Sequence, residues 1–250
     1  MNFMKVGKVI FRSIVLLMVC IMAIQGAPSS ITPAKAPSVC GNVNYKKWHL
    51  PCGVACIHVK DSGMQKDTAT NLIKGKLENI ILRMKEAQDI IKDLKIKYSN
   101  GRIGNSHLVT SIQEKTEYAF DKGNIDLKNE GTTVKSSNVT EIIKADYDSM
   151  AAAIMFTEQL RFNEDSSKRY GQLSRNLNGL SDKLATVLCD FEIIQCISGS
   201  VPSTNITCQS TVAGSVQSWT TEEARSSVEY WVLRDIEKYL QVLIPKYRLI

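Results

Sequence analysis

Absences narrow the reading of this 250-residue chain before any motif does. It has three histidines, no Gly-x-Ser-x-Gly, no second histidine near His107 and no paired-acid signature, so the constellations that mark a hydrolase are missing. No catalytic centre is expected. Proline numbers six and glycine 14, and nothing in the composition points to collagen or to disorder. Beyond residue 26 no apolar run approaches roughly 18 residues, so no membrane insertion is expected there. Neither charge sign dominates, with 31 Lys and Arg against 25 Asp and Glu. A formal net charge of +6, spread evenly, gives no argument for nucleic acid. In KGKLENIILRMKEAQDIIKDLK the lysines alternate with acids, the pattern of a solvated helix face.

What is present starts with a leader-like terminus. Lys5, Lys8 and Arg12 precede an apolar run from Ile14 to Ile24, and Gln25-Gly26-Ala27 supplies small residues for cleavage. Residues 1–26 are therefore expected to be a signal peptide, and 27–250 a secreted, extracellular domain. Its loss lowers the net charge to about +3. It also removes Cys20, leaving Cys40, Cys52, Cys56, Cys189, Cys196 and Cys208. An even number in an oxidising compartment implies disulfides, with 15 possible pairings. Asn138-Val-Thr and Asn205-Ile-Thr are glycosylation acceptors suited to the same compartment. His49-x2-Cys52-x3-Cys56-x-His58 has ligand-like spacing, but cysteines to balance it elsewhere favour disulfides over a metal. No cofactor is expected.

Along the chain, residues 27–65 read as an extended, disulfide-tethered arm without helical periodicity. Asp67 can cap a helix in which Ile73, Leu77, Ile80, Met84, Ala87, Ile91 and Leu94 keep a four-three rhythm to about Lys97. A polar stretch follows to about Asn138, with a short helix expected around His107 to Phe120. The second long helix runs from about Thr140 to Phe162 and buries Ile143, Tyr147, Met150, Ile154 and Leu160. The third spans roughly Ser167 to Ile197 on a seam of Tyr170, Leu173, Leu177, Leu180, Leu184, Val187, Phe191 and Ile194. Cys189 and Cys196 fall on its opposite face. A Ser, Thr and Gly-rich connection leads to the final helix, which begins at the capping box of Thr220 and Glu223. That helix buries Leu233, Ile236, Leu240, Leu243 and Tyr247, and leaves Arg234, Lys238 and Gln241 in solvent.

The connections are long, short, long. A short link makes the second and third helices antiparallel neighbours, while long links can each travel a bundle's full length. That is what an all-α, up-up-down-down four-helix bundle with two crossover loops requires, although a long loop can also return to an up-down-up-down arrangement.

A leader, four long helices, two crossovers and disulfides together resemble a long-chain helical cytokine. Leu233-Arg234, Ile236, Tyr239-Leu240-Gln241 and Arg248 are similar to the end of interleukin-6. Leu177-Asn178 and Val187-Leu188-Cys189, leading to Cys196, are similar to the third helix of leukaemia inhibitory factor. The likeness covers all four helices in pattern and about thirty positions in identity. It implies a protein, monomeric when free, that cross-links class I cytokine receptor ectodomains, a shared signalling chain plus a second chain. It implies one receptor surface on the outer faces of the first and third helices, with Glu78, Leu82, Lys85 and Lys92 on the first and Arg175, Asn178 and Asp182 on the third. Another surface gathers near the start of the final helix, where Trp219 and Trp231 stand. Arg248 is the one match to a basic patch at the helix end. The resemblance also implies bridges from the arm to the third helix, and the mirrored order of the cysteines suggests a nested set, Cys56–Cys189, Cys52–Cys196 and Cys40–Cys208.

Two departures accompany the likeness. The Phe-x-x-Lys pair that the leukaemia inhibitory factor branch uses for its private receptor is absent from residues 221–230. Pro245 replaces a receptor-contacting arginine and is expected to kink or end the helix early. The other readings are a secreted helical binding or carrier protein and a prolactin-like hormone. The carrier needs an apolar cavity, whereas these seams look filled. The hormone type normally has a cysteine in its last helix or tail, and none follows Cys208.

Overall fold

The rhythm of the first long segment becomes a helix, α1 (Lys66–Tyr98), in which Leu77, Ile80, Met84, Ala87, Ile91 and Leu94 are all buried. The structure is a computed structural model and describes residues 47, 51–52, 66–115, 139–167, 171–200 and 222–248. Among these residues there are five α-helices and no strand, so the described part is all-α as expected. After α1 come α2 (Ser106–Glu114), α3 (Val139–Ser167), α4 (Gly171–Ile197) and α5 (Glu222–Arg248). The expected connections over 116–138 and 201–221 lie outside the described residues, as does the Thr220–Glu223 cap.

Local chemistry sets the junction between the first two helices. A π-helical turn, Ser99–Ile103, follows α1 and ends at Gly104, whose φ of 61° places it in the left-handed region that glycine enters without steric cost. The Gly104 N–H donates to the Ser99 carbonyl at 3.0 Å. Asn105 then caps α2, its side-chain oxygen accepting from the N–H groups of His107 (3.1 Å) and Leu108 (3.2 Å).

Helix α3, the second long helix of the sequence, departs from the expected single stripe. Ile143, Tyr147, Met150, Ile154 and Leu160 are buried, but so is every residue from Ser149 to Leu160. A helix surrounded on all sides has no polar face to reveal a period, and the run Ala151-Ala152-Ala153 leaves room for close neighbours. In α4 the seam residues from Leu173 to Ile194 are buried as expected, and Tyr170 lies outside the described residues.

Polar contacts between helices give their relative directions. Lys76 and Asn79 of α1 reach Asp190 of α4, Glu86 meets Lys183 at 2.7 Å, and Asp93 accepts from Asn176 at 2.7 Å. Numbers rise on α1 as they fall on α4, so the pair is antiparallel. The α3 and α4 pair is also antiparallel, since Glu158 meets Ser181 and Asp165 meets Ser174. So is the α3 and α5 pair, through Asp146 with Lys246 and Asn163 with Glu229. Tyr98 donates to Glu164 at 3.1 Å, which brings the carboxyl-terminal ends of α1 and α3 together. Phe191 and Tyr247, near the ends of α4 and α5, stack with centroids 5.4 Å apart.

Two expectations for α5 are corrected. Arg234 is not in solvent but 2% exposed, held by Asp235 and by backbone carbonyls of α2 and its C-cap. Its long side chain points into a neighbouring element that the stripe alone does not reveal. Pro245 neither ends nor shortens the helix, which continues to Arg248. Both Pro245 and Gln241, four residues earlier, are exposed, so the carbonyl that loses its intrahelical donor faces water.

Candidate interaction surface

The outer faces of α1 and α4 lie side by side. Their border is a polar seam in which Glu86 takes charged contacts from Lys183 of α4 and Arg83 of its own helix. First Lys183 and then Arg83 hold the Glu86 carboxyl below its ordinary range. On the α1 side of this seam Glu78, Leu82, Lys85 and Lys92 are all exposed, and Leu82 is 50% accessible. An apolar side chain so placed contributes nothing to the core. Lys92 is paired within the helix to Asp89 at 3.0 Å. On the α4 side Arg175 and Asp182 are exposed and Asn178 is half-buried. The antiparallel register puts Arg175 near the level of Asp93, some eleven residues or roughly 16 Å along the axis from Leu82. The two residues therefore mark opposite reaches of one face.

Asn178 and Asp182 are already engaged by the chain itself. The Lys47 ammonium donates to Asp182 at 2.7 Å and to Asn178 at 3.3 Å, and lies 3.4 Å from Glu158 of α3. Asn178 in turn donates to Asp182 at 3.0 Å. Five residues on, Cys52 is joined to Cys189 of α4 (S–S 2.16 Å, Cα–Cα 4.9 Å). A backbone hydrogen bond from Cys52 reaches Glu192, where burial pushes the carboxyl up and that bond opposes the rise. Lys47 and Cys52 are thus both held against α4, one by its ammonium and the other by a disulfide.

This overturns the nested pairing. Cys189 takes Cys52 and not Cys56, because the Cα separation of 4.9 Å fits a bridge. Cys52 is then spent, so it cannot serve Cys196, nor act as a thiolate ligand with His49, Cys56 and His58. Cys196 is also disulfide-bonded. Its partner lies outside the described residues, as do Cys40, Cys56 and Cys208. No cluster of three or more metal-ligating side chains occurs among the described residues.

The second expected surface, near the start of α5, borders α2 around Trp231. Trp231 is half-buried, with the Lys115 ammonium 4.1 Å from its ring centroid and the Arg234 guanidinium 5.7 Å from it. Arg234 donates to the carbonyls of Ile112 and Lys115, the positions where a helix end leaves acceptors free. Gln113 donates to the Tyr230 hydroxyl at 2.8 Å. The short helix is therefore docked by a cation at its negative end and by apolar residues, with Ile112 buried at 3% exposure and Leu108 and Val109 packed partly buried against the core. Sequence reasoning missed this arrangement; the available signal was the adjacent Arg234-Asp235 pair beside the Leu233 seam. Arg234→Ala is expected to lower stability by about 2 to 3 kcal/mol through lost charged hydrogen bonds. Hydrogen exchange should rise first in residues 106–114; uniform loosening of all helices would contradict this docking role.

Arg248 is exposed at the end of α5. Trp219 and both acceptor asparagines, Asn138 and Asn205, lie outside the described residues. No helix among the described residues is long and apolar enough to cross a membrane. Neither protein-family models, nor curated proteins, nor solved structures yield a match to this chain.

Proposed function

We propose that the chain is a secreted, non-enzymatic signalling protein that cross-links class I cytokine receptor chains in the manner of the interleukin-6 and leukaemia inhibitory factor type. The observation that carries the reading is directional. α1 and α3 meet at the same ends, while α4 and α5 run against them, and this order supports an up-up-down-down four-helix bundle. Such a bundle, with two crossover-length connections, belongs to cytokines and related hormones. The paired outer faces of α1 and α4, with Leu82 at 50% exposure, supply a surface for one receptor chain. The Trp231 region would serve a second chain, with α2 forming part of that surface. The Cys52–Cys189 bridge fits an exported chain.

The test is capture of class I receptor ectodomains by the refolded, oxidised protein, with Leu82→Arg and Arg175→Glu as variants. A receptor using the α1 and α4 face should lose about tenfold or more in affinity with Leu82→Arg, roughly 1.4 kcal/mol. Thermal midpoints of both exposed-site variants should stay near wild type. Unchanged capture by both variants would remove this face. Absence of any capture would favour a secreted helical carrier or a prolactin-like hormone.

A further inference from the structure

At the end of the helical core where α1, α3 and α5 meet, two carboxylates are buried together. Glu164 of α3 is 3% exposed and Glu229 of α5 is 1% exposed. Glu164 is well supplied with donors: the Tyr98 hydroxyl of α1 reaches one oxygen at 3.1 Å, and the Arg102 guanidinium of the π turn holds the other. Glu229 accepts from the neutral Asn163 amide at 3.2 Å. The charges facing it are therefore unequal. From α3 comes the repelling Glu164, from the π turn comes Arg102, already engaged with Glu164, and from its own helix comes half-buried Arg225. Tyr98 brings no charge, because burial pushes its hydroxyl well above the ordinary range. A second carboxylate in so dry a place is poorly compensated, and the simplest remedy is a proton.

We infer that Glu229 is a proton-operated latch: with a proton bound the junction of α1, α3 and α5 closes firmly, and without one it loosens. The latch does not depend on the receptor reading. Burial first, and then Glu164, push the Glu229 carboxyl up from the ordinary 4.5 to about 7, against the smaller opposing effects of Asn163, Arg225 and Arg102. The sign is the reverse of the usual acid. The folded state binds the proton at a pH where the unfolded chain does not, so stability falls as pH rises through about 7. It is regained as pH drops towards 4.5, below which both states are protonated and this group adds nothing more.

The experiment follows the thermal midpoint of the full oxidised chain from pH 5.5 to 8, for wild type, Glu229→Gln and the exposed-site control Asp89→Asn. Glutamine imitates the protonated acid in shape and neutrality. Glu229→Gln should therefore raise the midpoint at pH 8 by on the order of 5 °C, and the gain should shrink as pH falls towards 5.5. Wild type and Asp89→Asn should share one pH profile. Carbon-detected titration of the glutamate carboxyls should also show one group with a midpoint near neutrality, absent in Glu229→Gln. If Glu229→Gln runs parallel to wild type across the range, or if every glutamate titrates below pH 5.5, the latch is refuted.

Discussion

Asp146→Ala is expected to destabilise the protein by about 3 to 5 kcal/mol, enough to remove a large part of its stability. Asp146 is 4% exposed, and both of its oxygens accept from the Lys246 ammonium at 2.9 Å. One oxygen also accepts from the Tyr247 hydroxyl at 2.7 Å. Truncation leaves an ammonium and a hydroxyl buried without these partners, and the desolvation of the cation then stands uncompensated. The pair joins the start of α3 to the end of α5, two segments a hundred residues apart. Urea unfolding measures the effect. Lys246→Met in the Asp146→Leu background should recover most of the loss, because two apolar groups make no demand for a counter-charge. If Asp146→Ala unfolds within 1 kcal/mol of wild type, the ion pair is not closed as described.

Removing Cys52 and Cys189 together is expected to have a comparable effect. The bridge spans a sequence separation of 137 residues. Closing a loop of that length restricts the unfolded chain by about 5 kcal/mol in the chain-entropy description. Cys196 is also bridged, which already shortens the free paths of the unfolded chain, so about 5 kcal/mol is a ceiling. The double serine variant should show a lower denaturation midpoint and faster exchange in α4 around residue 189. Peptide mapping without reductant should recover Cys52 linked to Cys189. Recovery of Cys56 on Cys189 would restore the nested order and remove Lys47 from its place beside Asp182.

Residues on the repeating seams were the most legible. Leu77 to Leu94 in α1 and Leu173 to Ile194 in α4 fall in the core where a four-three rhythm puts them, because one water-facing side imposes a period on the other. The interior of α3 escaped, because a helix covered all round carries no such period. Exposed positions were legible for the same reason as seams, and Leu82, Lys85 and Arg175 lie outside as the register implies. What the pattern could not reveal was which polar residues have partners. Arg234 reads as one more charge on a wet face until α2 is set against it. Asn178 and Asp182 read as open until Lys47 reaches them from 131 and 135 residues away.

The chain's own order of apolar and polar residues determined that it is helical, where its long helices run, and which stripe of each turns inward. Those are consequences of local periodicity and of removing apolar surface from water, and they need no knowledge of neighbours. Tertiary structure alone decided the directions of the helices, the union of Cys52 with Cys189, the docking of α2 on α5 through Arg234 and Tyr230, and the burial of Glu229 beside Glu164. Each of these is a pairing across long stretches of chain, and its strength depends on distance and on the exclusion of water, neither of which a one-dimensional pattern contains.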